Sequence, residues 1–249
     1  MFKKRTYKLK GKNYPNTKFA VISDLHNKKI ENNCEMFDIL REINPDFIIF
    51  AGDMISRKTT DFSNLETVCK NSSEIAKVYA APGNHELSIY PKGLDIYRKI
   101  LKKYNVSYLE NETVNISDNF YITGLVLNYS IYKDENDSYK NLKSYTINQL
   151  KSDAGDLKKG FNLVIAHNPN CLETYSQWGA DLVVSGHIHG GIIRFPIVGG
   201  ILSPERKFFP KYSLGEYQKE KTHMIVSAGI GKFRLFNPSE VVEIILEND

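Results

Sequence analysis

Residues 19–26, FAVISDLH, and residues 182–189, LVVSGHIH, share one arrangement: a short apolar run ends directly in side chains that can bind a metal ion. Both runs are rich in apolar and β-branched residues and stop at small polar residues, which is typical of buried strands. The ligand pairs are Asp24 with His26 and His187 with His189. In open α/β sheets, ligands bind beyond the carboxyl ends of strands. These two stretches therefore predict a site at the edge of a sheet.

Three further strand-like runs end in the same way. They contribute Asp53 after residues 47–51, Asn84 and His85 after residues 78–81, and His167 after residues 163–166. Five such ends that converge on one crevice would bring together carboxylates, an amide and imidazoles. Only one of the six histidines, His223, lies outside these strand ends, and we interpret it as an ordinary core or surface residue.

The apolar runs alternate with segments of helical periodicity. The runs span residues 19–22, 47–50, 78–81, 120–122, 163–166, 182–184, 224–226 and 241–246. Alternation of strands and helices predicts an α/β fold with helices covering the sheets. A length of 249 residues fits a single domain, 1–249. Within it we distinguish a basic N-terminal segment, 1–17, and an irregular extension, 190–222, that follows the last ligand pair.

Basic residues are concentrated at the start of the chain. Residues 1–18 carry seven Lys or Arg and no acid, and removing these seven from the 33 basic residues leaves 26 against 29 acidic residues. The slightly acidic remainder argues against nucleic-acid binding. The basic segment itself predicts either peripheral contact with an anionic membrane or a solvated arm.

Cysteine usage and hydropathy bear on the compartment. Cys34, Cys69 and Cys171 are few and widely spaced, which argues against disulfides and for a reducing compartment. No apolar stretch approaches the roughly 18–20 residues that a membrane span needs, and no signal-peptide pattern follows Met1. We therefore expect a cytoplasmic protein, free or peripheral to the membrane, and leave its oligomeric state open.

The chemistry of the candidate ligands indicates the class of metal. Imidazole, carboxylate and amide groups without cysteine suit Mn, Zn or Fe better than Ca or a thiolate zinc site. Even seven of these eight residues are too many for one tetrahedral ion, and seven fit two ions that share a carboxylate. Two metal ions roughly 3.5–4 Å apart stabilise the attacking and leaving oxygens of a displacement at phosphorus. The residues therefore predict phosphoester chemistry.

In this order, the motifs D-x-H, G-D, G-N-H-E, H and G-H-x-H resemble the calcineurin-like metallophosphoesterase superfamily. They correspond here to Asp24/His26, Asp53, Asn84/His85, His167 and His187/His189. Many relatives carry a second Asp three residues after the G-D motif, where this chain has Met54-Ile-Ser. The sequence SGHIHGG with the IRFP that follows it is similar to a bacterial branch of phosphohydrolases that act on membrane-linked or lipid substrates.

The resemblance implies a four-layer α-β-β-α sandwich of two mixed β-sheets flanked by helices. It assigns one metal ion to Asp24, His26 and His189, a second to Asn84, His167 and His187, and the bridging position to Asp53. A hydroxide that bridges the metals would attack phosphorus, with Asp53 and His85 as catalytic residues and His85 as the acid for the leaving oxygen. Glu86 either orients His85 or is an acid favoured at a helix N-terminus.

The extension has two interpretations. One is a lid with an apolar wall for acyl chains and basic residues for phosphate or lipid headgroups. The other, favoured for most of its apolar residues, is a folded-back hairpin that covers the edge of a sheet. Arg194 is the candidate for contact with a substrate phosphate. Residues 233–236, FRLF, could contribute similarly, although core packing is the preferred interpretation.

The function expected is hydrolysis of a phosphate ester or pyrophosphate linkage, with a lipid-linked or nucleotide-sugar substrate suggested by resemblance. Alternatives within the enzymes are a cyclic-nucleotide phosphodiesterase and a protein phosphatase, while the acidic body disfavours a nuclease. The non-enzymatic alternative is a metal-binding scaffold of the same fold. Such a scaffold should lack ligands or His85, and the sequence retains all of them.

Overall fold

The computed structural model describes residues 2–26, 28–191, 193–195, 199–203, 205–231 and 237–249. The strands are β1 (Phe2–Gly11), β2 (Thr17–Ile22), β3 (Phe47–Ala51), β4 (Lys77–Ala81), β5 (Ser107–Tyr108), β6 (Glu112–Ser117), β7 (Phe120–Gly124), β8 (Phe161–Ile165), β9 (Leu182–Ser185), β10 (Ile193–Phe195), β11 (Gly199–Leu202), β12 (Gly215–Lys219), β13 (Thr222–Val226) and β14 (Ser239–Asn248). The α-helices are α1 (Glu35–Ile43), α2 (Ser63–Ile75), α3 (Asn84–Leu87), α4 (Pro91–Lys103), α5 (Ile147–Ala154) and α6 (Leu172–Trp178). Single 3₁₀ turns occur at Tyr129–Ile131 and Pro169–Cys171.

Two large sheets organise the chain. The first sheet has the order β1-β14-β2-β3-β4-β5, and the second has the order β12-β13-β9-β8-β7-β6. Both are mixed: β2, β3 and β4 are parallel neighbours but β14 runs antiparallel to β2, and β7, β8 and β9 are parallel while β12 pairs antiparallel with β13. The parallel strands at the centre of each sheet therefore end at a common edge.

Three apolar layers hold the sheets and helices together. Ala20 and Ile22 of β2 pack with buried residues of α1, α2 and α4, whereas Phe19 and Val21 of the same strand face the second sheet. A third layer joins the far face of the second sheet to α5 and α6. Strands that bury both faces read as continuous apolar runs, as Phe47–Ala51 does. The predicted four-layer α-β-β-α sandwich is confirmed.

All eight apolar runs singled out in the sequence lie on strands, but β1 was not predicted. Residues 2–11 form an edge strand parallel to β14 rather than a free arm. Lys4 pairs with Glu42 at 2.6 Å, Arg5 with Glu240 at 2.9 Å and Lys10 with Glu247 at 2.7 Å. The acids that accompany the basic segment are distant in sequence, so the local charge pattern could not reveal them.

The extension after residue 190 is more regular than predicted. β10 and β11 form a short antiparallel hairpin, and β12 adds a strand to the second sheet beside β13. Phe208 and Phe209 are 71% and 62% exposed, so they do not cover a sheet edge. Ile192, Ile197 and Val198, three apolar residues of the extension that the lid interpretation assigned to its wall, lie outside the described residues, as do residues 233–236.

All three cysteines fall within the described residues and are free thiols. Across the described residues, every helix is too short or too polar to cross a lipid bilayer.

Candidate metal centre

Five strand ends meet at one edge of the sandwich. β2, β3 and β4 of the first sheet lead to Asp24 with His26, to Asp53, and to Asn84 with His85, and β8 and β9 of the second sheet lead to His167 and to His187 with His189. Each of these eight residues is 9% exposed or less. The structure therefore brings together every residue that the sequence predicted for the site except Arg194. His223 lies at the opposite end of the second sheet, near the start of β13, where Nδ1 contacts Glu216 at 2.9 Å.

Several of the candidate ligands have a left-handed backbone. The φ angles are 53° for Asp24, 50° for His26, 53° for Asp53, 70° for His187 and 55° for His189. Non-glycine residues seldom adopt positive φ, although Asp and His do so more readily than most. Such outliers cost on the order of 1–3 kcal/mol each and cluster at functional sites. The turns after these strands thus aim the side chains at the cost of local strain.

Two glycines make room for the carboxylates. A Cβ on Gly83 would overlap the amide and the carboxylate of Asp53, and a Cβ on Gly186 would overlap the carboxylate of Asp24. The φ of Gly83 is −99°, a value that any residue adopts. Glycine is therefore required at 83 by space and not by backbone conformation.

The donor atoms fall into overlapping groups, each of which could hold an ion. One group is Asp24, His26 and His189, and another is Asp53, His167 and His187, with all donor atoms of a group within 4.8 Å of one another. Asp53 also forms a group with His26 and His85. The Oδ2 atom of Asp53 lies 3.3 Å from Nε2 of His167 and 3.9 Å from Nε2 of His26. Asp53 therefore faces both groups, and Oδ1 of Asp24 also reaches across to the second group, 3.8 Å from Nε2 of His167.

Asn84 gives the sharpest test of whether these residues fit a metal. Its Oδ1 is buried and has no hydrogen-bond partner among the described residues. A buried amide oxygen without a partner costs free energy unless some other group satisfies it. Oxygen and imidazole nitrogen are suitable donors for Mn, Zn and Fe. An ion held by the neighbouring donors could satisfy Asn84, so the residues present fit the metal that the sequence implies.

Hydrogen bonds to one ring nitrogen orient the imidazoles of His167 and His187. Nδ1 of His167 lies 2.7 Å from the carbonyl oxygen of Ala51, which fixes a proton on Nδ1 and directs Nε2 toward Asp53. Nε2 of His187 lies 2.9 Å from Oε1 of Glu205 and donates to it, which leaves Nδ1 for an ion. Hydrogen bonds of this kind set the tautomer and ring orientation of metal-binding histidines.

The electrostatics of the cluster favour a cation. Burial, together with repulsion from Asp53, raises the pKa of Asp24 above its usual range. Burial acts to raise the pKa of Asp53, but the neighbouring imidazoles, His167 first, outweigh it and hold that pKa well below its usual range. Burial acts to lower the pKa of His167, but the Asp53 and Asp24 carboxylates raise it to about 9. A proton on His167 thus offsets part of the charge of the two carboxylates where a metal ion would otherwise do so.

Glu86 holds the loops rather than the His85 ring. Its carboxylate accepts hydrogen bonds from the backbone amides of Asp53 at 2.9 Å, Ile55 at 3.1 Å and Gly83 at 2.8 Å. Burial, with repulsion from Asp53, raises its pKa to about 7. Glu86 therefore ties the β3 and β4 loops together, and it also caps the first turn of α3.

His85 lies beside the donor groups and is held by its own contacts. Its backbone amide donates to Oδ1 of Asp53 at 2.8 Å. Nδ1 of its ring accepts from the backbone amide of Arg57 at 3.1 Å, while Nε2 lies 3.8 Å from Oδ2 of Asp53. With Nδ1 accepting, the proton of a neutral ring is on Nε2, the nitrogen directed to the cluster.

Arg194 and Glu205 are two residues of the extension whose contacts the sequence did not predict. Arg194 lies on β10, where NH1 is 3.2 Å from the Gly190 carbonyl oxygen and 3.4 Å from Oγ of Ser213, so its guanidinium ties together parts of the extension. Glu205 was not predicted as a site residue. Nothing in its sequence context points to His187, because the extension has no strand or helix period that would predict where residue 205 lies.

Buried carboxylates and imidazoles at the shared edge of a two-sheet sandwich define a candidate dinuclear metal centre. Residues 17–191 match the model of the calcineurin-like phosphoesterase family. The chain belongs to this family, whose members depend on two metal ions, and this membership agrees with the predicted class of metal-dependent phosphohydrolases.

Curated relatives carry names of the same kind. The chain is 27% identical to an uncharacterized metallophosphoesterase of Campylobacter jejuni, over 92% of this chain and 59% of the relative. It is 24% identical to the phosphodiesterase YaeI of Escherichia coli, over 86% and 75% of the two chains. It is 23% identical to the UDP-2,3-diacylglucosamine pyrophosphatase LpxG of Chlamydia muridarum, over 88% and 80%. The chain thus spans less than two thirds of the length of the Campylobacter relative.

Solved structures agree on the fold. A Thermus thermophilus protein superposes with a TM-score of 0.53 at 9% identity, over 86% of this chain and 90% of that chain. A dimetal phosphatase from Danio rerio superposes with a TM-score of 0.50 at 14% identity, over 86% and 88%. At these identities the likeness concerns the fold alone.

Proposed function

We propose that this chain hydrolyses a phosphate ester or pyrophosphate linkage at a dinuclear metal centre. Asp24, His26 and His189 hold one ion, Asn84, His167 and His187 hold the other, and Asp53 is shared. The observation that supports this most directly is the set of overlapping donor groups that Asp53 joins, with the unsatisfied Oδ1 of Asn84 as a further oxygen donor. The donor set is suited to Mn, Zn or Fe.

Two bound ions would lower the pKa of a water molecule and neutralise charge on the phosphoryl group. The residues of the chain supply the remaining roles. His85 directs Nε2 to the cluster, so it can donate a proton to the leaving oxygen or stabilise charge there. Arg194 keeps its proposed role as a phosphate contact, for which its guanidinium would have to exchange the bond to Ser213 for one to substrate.

The substrate class is proposed from the relatives. One is named a phosphodiesterase and another a pyrophosphatase of a lipid-linked nucleotide sugar. A phosphodiester or pyrophosphate on a lipid-linked or nucleotide-sugar substrate is therefore favoured over a cyclic nucleotide or a phosphoprotein. A non-catalytic scaffold is disfavoured because the donors and His85 are all in place.

The test combines metal analysis with a substrate panel. Purified protein should bind two ions per chain and, with Mn, hydrolyse bis(p-nitrophenyl) phosphate or another member of a panel of phosphomonoesters, phosphodiesters and pyrophosphates. Asp53→Asn should lose metal and activity together, because Asp53 faces both donor groups. The exposed Asp95→Asn is the matched control and should change neither. Wild-type protein that binds two ions and hydrolyses no member of the panel would overturn the proposal.

A further inference from the structure

A cavity of about 690 Å³ lies beside the candidate metal centre, between residues 133–140 and residues 205–207. Its charged lining residues are Lys133, Asp137, Lys140, Glu205, Arg206 and Lys207. Four of these six are cationic and two are acidic, so the lining carries a net positive charge. The slightly acidic body of the chain provides no such surplus by composition.

Two chains of contacts connect the cavity to the candidate metal centre, one to His187 and one to His85. Glu205, one of its lining residues, contacts Nε2 of His187 at 2.9 Å. Asp137, another lining residue, lies 3.7 Å from the guanidinium of Arg57, and the backbone amide of Arg57 donates to Nδ1 of His85. The cavity therefore borders His187 through Glu205, and Arg57 connects it to the proposed acid for the leaving oxygen.

Two of the four cations are already neutralised. Nζ of Lys133 lies 3.5 Å from Oδ1 of Asp137, and Nζ of Lys207 lies 2.8 Å from Oε2 of Glu205. Lys140 and Arg206 are exposed and form no ion pair with any side chain in the described part of the chain. The surplus charge of the cavity therefore belongs to Lys140 and Arg206.

Arg206 is held in place by its turn. Its backbone amide donates to the Ser203 carbonyl oxygen at 2.9 Å, and the amide of Lys207 donates to Oγ of Ser203 at 3.2 Å. Arg206 itself has a φ of 60°. A non-glycine residue in this conformation is kept there by its surroundings, so the turn fixes where the Arg206 side chain starts.

We propose that this cavity is a subsite for a second phosphate of the substrate, attached on the leaving-group side of the phosphoryl group that is attacked. This inference rests on the proposed function and names its substrate class: a pyrophosphate-linked substrate rather than a phosphodiester with a neutral leaving group. Guanidinium and ammonium groups bind phosphate oxygens by charge-assisted hydrogen bonds. Hydrolysis then consumes water and releases two phosphate monoesters, one of which leaves from the cavity.

The test variant is Lys140→Ala/Arg206→Ala, and the control is Lys92→Ala/Lys99→Ala, which removes two exposed cations from α4. Binding of inorganic phosphate and of inorganic pyrophosphate to Mn-loaded protein is measured by titration calorimetry. The ratio of the two dissociation constants isolates the second phosphate, because both anions can bind the metals. We expect the preference for pyrophosphate to fall about tenfold or more in the test variant and to stay unchanged in the control.

Kinetics provide the second measurement. The two pyrophosphate substrates are UDP-N-acetylglucosamine in solution and CDP-diacylglycerol in detergent micelles, and the one that the wild-type protein hydrolyses shows whether the pyrophosphate is soluble or lipid-borne. For that substrate, kcat/KM of the test variant should fall about tenfold. The value for bis(p-nitrophenyl) phosphate should not change. An unchanged pyrophosphate preference, or an equal loss with all substrates, would overturn the subsite. A lost preference in a protein without turnover would retain the subsite and reject the proposed function.

Discussion

Oε1 of Glu205 lies 2.9 Å from Nε2 of His187, and Oε2 of the same carboxylate lies 2.8 Å from Nζ of Lys207. Burial acts to raise the pKa of Glu205, but these two partners outweigh it and lower that pKa to about 2. A carboxylate held ionised behind an imidazole keeps the ring in one tautomer and makes it a better metal ligand. The extension thereby reaches the metal centre through one hydrogen bond.

Glu205→Gln should weaken metal binding about 10- to 100-fold at the position that includes His187. The amide keeps the shape of the side chain but not its charge, so it holds the His187 ring less firmly in one orientation and tautomer. Titration calorimetry with Mn or Zn measures the change. Glu135→Gln, an exposed acid on the surface, is the control and should bind as wild type does. Equal affinities for the two variants would show that Glu205 is only a structural partner of Lys207.

His85→Asn should retain both metal ions and lower kcat by about 10²–10⁴-fold for a substrate with a poor leaving group, because a general acid is removed. The loss should be smaller for p-nitrophenyl esters, whose leaving oxygen needs little protonation. Metal analysis and rates for two leaving groups separate this role from ligation. Loss of metal together with activity would instead identify His85 as a ligand.

Gly83→Ala should destabilise the protein and disrupt the centre. Gly→Ala commonly stabilises a chain by about 0.4–1 kcal/mol where the backbone conformation suits alanine. The φ of Gly83 is such a conformation. The new methyl would overlap the Asp53 carboxylate and backbone amide, so the sign should reverse. Urea unfolding gives the stability and metal analysis gives the occupancy. Gly11→Ala, whose methyl meets the Tyr14 ring, is the comparison and should retain full metal content.

Glu86→Gln should lower the free energy of unfolding by about 1–3 kcal/mol, because a buried acceptor of three backbone hydrogen bonds is replaced by a group with one acceptor oxygen. The loops that carry Asp53 and Gly83 should loosen together. Urea unfolding measures the first effect, and hydrogen exchange at these amides measures the second. Glu112→Gln on the exposed side of β6 is the control. Unchanged hydrogen exchange at the amides of Asp53 and Gly83 would contradict the proposal that Glu86 ties these two loops together.

Chelation should lower the Tm of the wild-type protein. An ion at 100 times its dissociation constant stabilises the folded state by about 2.7 kcal/mol, which corresponds to roughly 5–10 °C for a chain of this size. Differential scanning calorimetry before and after chelator, and after adding Mn back, measures the shift. Asp53→Asn should show little response to either treatment. A Tm that ignores the chelator in metal-loaded wild type would speak against the centre.

The sequence predicted the strand ends well because a change from apolar to polar residues marks each of them. A fully buried strand reads as an apolar run, and a polar residue directly after it must lie at the sheet edge, as Asp53 and His167 do. Their convergence followed from topology alone. The groups that hold the ligands were harder to predict: Arg57 contacts His85 through a backbone amide, which no side-chain pattern reveals.

β1 and Glu205 escaped prediction for a different physical reason. The basic residues of β1 are balanced by acids such as Glu240, 235 positions away from Arg5, so the local charge run looked unpaired. Glu205 follows an aperiodic segment whose path is set by tertiary contacts. In both cases the deciding partner is distant along the chain, and a single sequence contains no information on which distant residues meet.

The left-handed backbone at Asp24, His26, Asp53, His187 and His189 belongs to the turns that end the strands. The conformational cost of arranging these ligands is therefore borne by folding and not by each binding event. A centre whose ligands are arranged by folding would let one metal species replace another without refolding the loops. Which ions occupy it in a living cell would then follow the local supply of metals more than any preference built into the chain.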